Sequence, residues 1–209
     1  LQMKIGEEIF HDLLFGRFNP AREEDRAFLF LDLKSSTAIA EKLGHEQYSY
    51  FIQDCFRDLH PAVVASEAEI YQYVGDEAVL TWKRERALSH HHCLRAFFLF
   101  QQQLASRDEY YQRRYGIAPI FKAGLNLGKV MTAEVGVVKR DIAYHSDVLN
   151  TAARVQELCN EKGALFLVTE EVLGALPKPI PFKSVERGNV LLKGKLGKTR
   201  IFEINESEV

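Results

Sequence analysis

The chain has 209 residues, 46% of them apolar, enough for one large domain whose core needs neither disulfides nor a structural metal. With 27 Lys and Arg against 29 Asp and Glu, a formal charge of -2, there is no overall positive field to hold a polyanion, and nucleic acid is not an expected partner. The apolar runs fall far short of the roughly 20 residues of a spanning helix. Cys55, Cys93 and Cys159 are scattered without CxxC spacing, which suits a reducing compartment. The expected location is the cytoplasm. The chain opens Leu1-Gln2-Met3, which leaves room for a membrane or sensor region upstream.

In chain order, Ile5, Ile9, Phe10 and Leu13 fall near helical spacing before Gly16 and Asn19-Pro20, so residues 1–20 read as a short amphipathic helix and linker ahead of a domain over 21–209. Ala27 to Leu33 is an apolar run too short for a helix and reads as a buried strand that ends on one carboxylate, Asp32. From Ser36 the pattern turns helical and continues past Gly44 toward Val64, with Tyr48, Phe51, Ile52, Cys55, Phe56 and Leu59 on the apolar face. Glu69 to Trp82 holds two β-rich runs joined by Gly75-Asp76, a hairpin signal that puts Asp76 at a turn. The pattern then predicts a helix over 87–106, a polar segment to Tyr115, and a strand pair, 120–126 and 129–135, around Gly128. A helix over 146–159, a strand over 165–169, a short helix over 170–176 and a terminal hairpin over 182–204 around Gly194 to Gly197 complete the series. This mixture predicts an α+β sandwich with a largely antiparallel sheet.

Some residues could carry chemistry. Asp32 and Asp76, carboxylates at strand ends, suit Mg²⁺ or Mn²⁺, hard cations that take oxygen ligands. Alternatively, Asp32 caps the next helix and Asp76 is a turn former; the two residues alone leave both readings open. Leu33-Lys-Ser-Ser-Thr37 leads into a helix N-terminus, where free N–H groups can receive phosphate, although the glycines of a Walker loop are absent. Asn150 and Arg154, four residues apart, share a helix face and are donors suited to ribose and phosphate oxygens, or equally to a solvated surface. Ser89-His-His-His92-Cys93 invites a metal reading, but consecutive residues of a helix diverge by about 100° and cannot close on one ion.

Taken together, Phe30-Leu-Asp32-Leu-Lys-Ser-Ser-Thr37, Tyr73-Val-Gly-Asp76-Glu and Asp147-Val-Leu-Asn150-Thr-Ala-Ala-Arg154 resemble the class III nucleotidyl cyclase catalytic domain, the adenylate and guanylate cyclase family, in order and spacing. Val190-Leu-Leu-Lys193-Gly-Lys195 is similar to that family's basic C-terminal loop. The resemblance covers nearly the whole chain. It implies a ferredoxin-like, palm-related sandwich: a mostly antiparallel sheet flanked by helices. It also implies a head-to-tail homodimer whose sites lie across the interface, and cyclisation of a nucleoside triphosphate to a 3′,5′-cyclic nucleotide and pyrophosphate. By resemblance, Asp32, Asp76 and the Leu33 carbonyl hold two divalent cations, Mg²⁺ or Mn²⁺. Lys34, Ser35, Ser36, Thr37 and Lys193 face the phosphates, and Asn150 and Arg154 of the other subunit act on ribose and phosphate.

The base pocket departs from the pattern. Gln72 stands where the family carries Lys for adenine or Glu for guanine, and Ala143 stands where Asp, Thr or Cys is usual; Tyr144 and His145 adjoin it. A glutamine amide can serve either purine by rotating. The expected substrate is ATP, with GTP or another nucleotide as the alternative. A non-catalytic cyclase-homology module would be expected to lack a metal aspartate or the Asn and Arg pair, and this chain retains all four.

Overall fold

The computed structural model describes residues 21–135, 141–191 and 197–207; the expected helix before Gly16, the loop carrying Lys193 and Lys195, and the His145 side chain lie outside them. The elements run β1 (Arg22–Leu33), α1 (Ser36–Ala65), β2 (Glu69–Val74), β3 (Glu77–Lys83), α2 (Arg84–Leu88), a 3₁₀ turn (Ser89–His91), α3 (His92–Ser106) and α4 (Asp108–Tyr115). Then follow β4 (Phe121–Val135), β5 (Asp141–His145), α5 (Asp147–Lys162), β6 (Phe166–Thr169), α6 (Glu170–Ala175), β7 (Phe182–Leu191) and β8 (Lys198–Glu206). The strands form one sheet in the order β2-β3-β1-β4-β6-β8-β7, with β5 paired to β4. Only the β4–β6 pairing among the described strands is parallel, so the fold is the expected α+β sheet with mainly antiparallel pairing.

The unbroken apolar run of β1 follows from its position. It pairs with β3 on one side and β4 on the other, and both of its faces are covered. Ala27, Leu29, Leu31 and Leu33 enter the main core with Phe51, Cys55 and Leu59 of α1 and Phe97 and Phe100 of α3. Phe28 and Phe30 point the other way, to Val79, Val130 and the α5 residues Val148 and Ala152. The molecule is thus layered: α1, α3 and α4, then the sheet, then α5.

Three expectations need correction. Gly128 is not a turn: β4 is one strand through it and pairs with β1 from Phe121 to Thr132. A Cβ there would meet Val148 Cγ2 at 2.9 Å, so the glycine serves the approach of α5 to the sheet. The expected helix over 87–106 is interrupted, because His90 and His91 are left-handed at φ 49° and 57°, and the histidine run therefore does not lie on a continuous helix. No group of three potential metal ligands forms there among the described residues. Lastly, the polar segment before Tyr115 is helical. Tyr111 and Tyr115, one turn apart, are buried and donate hydrogen bonds to the buried carboxylates of Asp58 and Asp54 on α1, each at 2.6 Å. α1 itself is broken at Gly44 (φ 73°, ψ 163°).

Candidate active site

Asp32 is the penultimate residue of β1. Its Cα partners are Glu77 on β3 and Lys122 on β4, so the three side chains share one sheet face. Lys122 Nζ lies 3.0 Å from Asp32 Oδ2, and Gln156 of α5 donates to the same oxygen at 3.1 Å. Asp32 therefore does not cap α1. The position before that helix belongs to Ser35, whose left-handed backbone (φ 59°) makes no side-chain cap. A turn of two residues, with Lys34 N–H donating to Ile120 O at 2.8 Å, brings the α1 N-terminus next to Asp32. Lys34, Ser35 and Thr37 are exposed and Ser36 is half-buried, and no acidic residue occupies the first turn of α1. The side chain of Leu33 is buried in the main core, so only its backbone can serve a ligand.

Asp76 sits in the two-residue turn between β2 and β3, where Gly75 supplies a positive φ of 61°. Its Oδ2 is buried without a hydrogen-bond partner, a costly arrangement for a carboxylate unless a cation completes it. Glu77 follows directly. Burial, reinforced by the charges of Asp32, Asp76 and Glu157, pushes its carboxyl up to about 7. Tyr48 of α1 is raised to about 12 by burial, with Asp76 and Asp32 adding to it and Ser36 as a hydrogen-bonding neighbour that opposes it. Hard oxygen donors, an orphaned carboxylate oxygen and an excess of negative charge fit a divalent cation held by Asp32, Asp76 and the Leu33 carbonyl.

α5 packs close to β4 because Gly124 has no side chain: a Cβ there would lie 2.3 Å from Gln156 N and 2.5 Å from Ala152 O. Ser146 caps the helix, its Oγ accepting from Val148 N–H at 2.9 Å. At about 100° per residue, Asn150 and Arg154 lie about 40° apart and about 120–160° around the helix from Gln156 and Ala152, which face the sheet. Asn150 is exposed and Arg154 half-buried. The structure thus gathers Asp32, Asp76 and the α1 N-terminus, while Asn150 and Arg154 look outward from the same chain. Gln72 is exposed on β2, and Ala143 and Tyr144 are half-buried on β5. Sequence reasoning missed Glu77, Lys122, Gln156 and Tyr48. The adjacency of Glu77 to Asp76 was the available signal; the others come from strand register and helix phase.

The model of the adenylate and guanylate cyclase catalytic domain matches residues 18–206. The chain belongs to this family. It is 32% identical over 200 residues to adenylate cyclase 2 of Rhizobium meliloti (strain 1021), covering 96% of this chain and 55% of that protein. Identity to the adenylate cyclase of Anabaena cylindrica is 24% over 183 residues, 84% of this chain and 36% of that one. The cyclase domain thus spans about half or less of these curated relatives. A bacterial light-regulated adenylyl cyclase has the same fold (TM-score 0.78, 16% identity, 90% of this chain and 53% of that one). So do the adenylyl cyclase CyaB from P. aeruginosa (0.76, 14%, 91% and 98%) and the guanylyl cyclase Cya2 (0.76, 13%, 91% and 96%). No described helix of this cyclase domain is long and apolar enough to cross a membrane.

Proposed function

We propose that this cyclase domain converts ATP to 3′,5′-cyclic AMP and pyrophosphate at sites shared between two copies in a head-to-tail homodimer. The observation that carries the proposal is the gathering of Asp32 and Asp76, with one buried Asp76 oxygen unpartnered, beside an open helix N-terminus. The outward Asn150 and Arg154 are best used by the site of a second copy, since the face of α5 that bears them is turned from Asp32 in their own chain.

The 3′-oxygen of the ribose forms a bond to the α-phosphorus, the bond from that phosphorus to the pyrophosphate oxygen breaks, and the hydroxyl proton passes to Asp32 or to water. When bound, two Mg²⁺ or Mn²⁺ ions would lower the hydroxyl pKa and neutralise charge on the attacking and leaving oxygens. Asp32, Asp76 and the Leu33 carbonyl would hold them. The N–H groups of α1 after Ser35, with Lys34, Ser36 and Thr37, would receive phosphate oxygens. Lys122 balances Asp32 in the structure and is placed to move to phosphate once Asp32 is otherwise neutralised. Arg154 of the second copy would take charge that develops on the phosphates, and Asn150 would orient the ribose. Lys193 is assigned to the terminal phosphates on its motif alone. Gln72, Ala143 and Tyr144 are assigned to the base, with ATP favoured by the adenylate cyclase relatives. The chain would act in the cytoplasm.

The test is incubation of the purified protein with ATP, GTP, CTP and UTP in turn plus Mn²⁺, with chromatography of the products. Cyclic AMP as the main product supports the proposal; cyclic GMP would revise the base, and no cyclic product from any of the four would refute the enzyme reading in favour of a binding module.

A further inference from the structure

The ladder between β2 and β3 slips by one residue. Glu69 opposes Thr81 and Ile70 opposes Leu80, but Val79 is opposed by Gln72, with Tyr71 as the extra residue. In an unbroken ladder Gln72 would oppose Ala78, which is buried in the main core beneath α1. The bulge instead gives Gln72 the face of Val79, the α5 side of the sheet, because one extra residue inverts every side chain beyond it. Were the bulge absent, Gln72 would stand on the α1 side of the sheet, in the place that Tyr73 takes against Phe56.

Arg26 occupies the place where this slip is set. It is 3% exposed, and its guanidinium reaches three strands: Nη1 to Glu24 at 2.9 Å, Nη2 to Glu69 at 2.6 Å and Nε to Thr81 Oγ1 at 3.1 Å. Glu69 and Thr81 are opposed one pair before Ile70 and Leu80, the last pair ahead of the slip. Its face lies 5.1 Å from the centroid of the Tyr144 ring on β5. That ring meets Tyr71, the bulged residue, at 5.0 Å, and Phe28 at 5.2 Å. Tyr71 and Tyr144 are the chain neighbours of Gln72 and Ala143, so one buried cation and the edge-to-face rings beside it fix the two strand segments relative to each other. A guanidinium taken out of water is expensive and rarely improves stability over an apolar residue, while its forked geometry and stacking face impose direction.

We infer that Arg26 is a positioning residue for base reading, fixing through Glu69 and Tyr144 the β2 bulge that turns Gln72 to the α5 face and holds it in register with Ala143. This rests on the assignment of Gln72 and Ala143 to the base made above.

Arg26 itself is a risky first target, because its loss would empty a buried site and take one partner each from Glu24, Glu69 and Thr81. Glu69 is 58% exposed at its side chain, so Glu69→Ala releases the bulge without opening the core, and Tyr71→Leu removes the ring that joins the bulge to Tyr144. For each variant the ATP:GTP ratio is read both from kcat/KM and from equilibrium binding of the two nucleotides. The expected result is a rise in KM for ATP of about tenfold, with kcat falling less, and an ATP:GTP ratio moving toward one, since misplacement of about 1 Å is costly to an aligned contact. On a Gln72→Ala background the same changes should leave the ratio where Gln72→Ala alone puts it. Equal loss for both nucleotides, or an undiminished shift on the Gln72→Ala background, would overturn the inference. Product formation by the wild type tests the cyclase reading separately, and the binding ratio tests Arg26 whichever way that falls.

Discussion

Gly124→Ala tests how α5 is seated. The new Cβ would lie 2.3 Å from Gln156 N, 2.5 Å from Ala152 O and 2.7 Å from Gln156 Cα. All three are backbone atoms, which no rotamer change can move aside. Restoring ordinary contact near 3.4 Å requires the helix to lift by about 1 Å from β4. Overpacking of this kind costs about 1–3 kcal/mol, and a backbone obstacle puts the expected loss near the top, at about 3 kcal/mol. Gly128→Ala provides the control, since its Cβ meets only the Val148 side chain, at 2.9 Å; the expected cost is about 1 kcal/mol, recovered largely in the Gly128→Ala/Val148→Ala double variant. Urea unfolding at fixed m-value measures both. Lifting α5 by about 1 Å also stretches the 3.1 Å bond from Gln156 to Asp32 beyond hydrogen-bonding range and displaces Asn150 and Arg154, so activity should fall by about 10²-fold. A Gly124→Ala protein within about 0.5 kcal/mol of wild type, with unchanged turnover, would refute the close seating of α5.

Two further outcomes follow from the same geometry. The Glu77 carboxyl is raised to about 7 in the folded chain against about 4.3 unfolded, so the folded state holds its proton more tightly and the stability it contributes below about pH 4 is lost as pH rises through 7. In EDTA, Glu77→Gln should match wild-type stability near pH 4 and exceed it by about 1–2 kcal/mol near pH 8, a value discounted for solvent access; equal thermal-unfolding midpoints at both pH values would count against a carboxylate cluster at this turn. For the base, the wild type should prefer ATP over GTP by only about ten- to a hundredfold, because Gln72 and Ala143 offer few polar contacts, and Gln72→Lys with Ala143→Asp should sharpen that preference in competition kinetics. A wild-type preference above about 10⁴ would assign base reading to other groups.

How far the sequence carried depended on the kind of signal. β1 was legible because a strand covered on both faces must be apolar throughout, and α5 because its helical pattern starts at Ser146; a Ser or Thr cap expected at the start of α1 is not made, since Ser35 there forms no side-chain cap. The C-terminal end of β1 and the β2–β3 turn were therefore placed correctly, and with them Asp32 and Asp76, although β1 begins at Arg22 rather than Ala27. Gly128 misled because a glycine that admits a neighbouring helix and a glycine that turns a chain look alike without the helix in view. The helical segment before Tyr115 was hidden because its stabilising partners, Asp54 and Asp58 as acceptors and Phe51 as an apolar contact, lie more than 50 residues away in the chain. β5 is short and has no turn signal of its own. Glu77, Lys122 and Gln156 became neighbours of Asp32 only through register and helix phase, and Arg26, in a charged stretch, carried no mark of its burial.

The central claim, one site built by two chains, is tested most directly by mixing two inactive variants. Asp32→Ala should remove a cation ligand and Arg154→Ala a phosphate contact, and each homodimer should form no cyclic AMP. If Asp32 and Arg154 serve the same substrate from different chains, the heterodimer keeps one intact site, and under random exchange of equal amounts turnover should return to about a quarter of the wild-type rate. Mixtures that remain inactive after subunit exchange has been demonstrated by mass spectrometry would contradict the shared site.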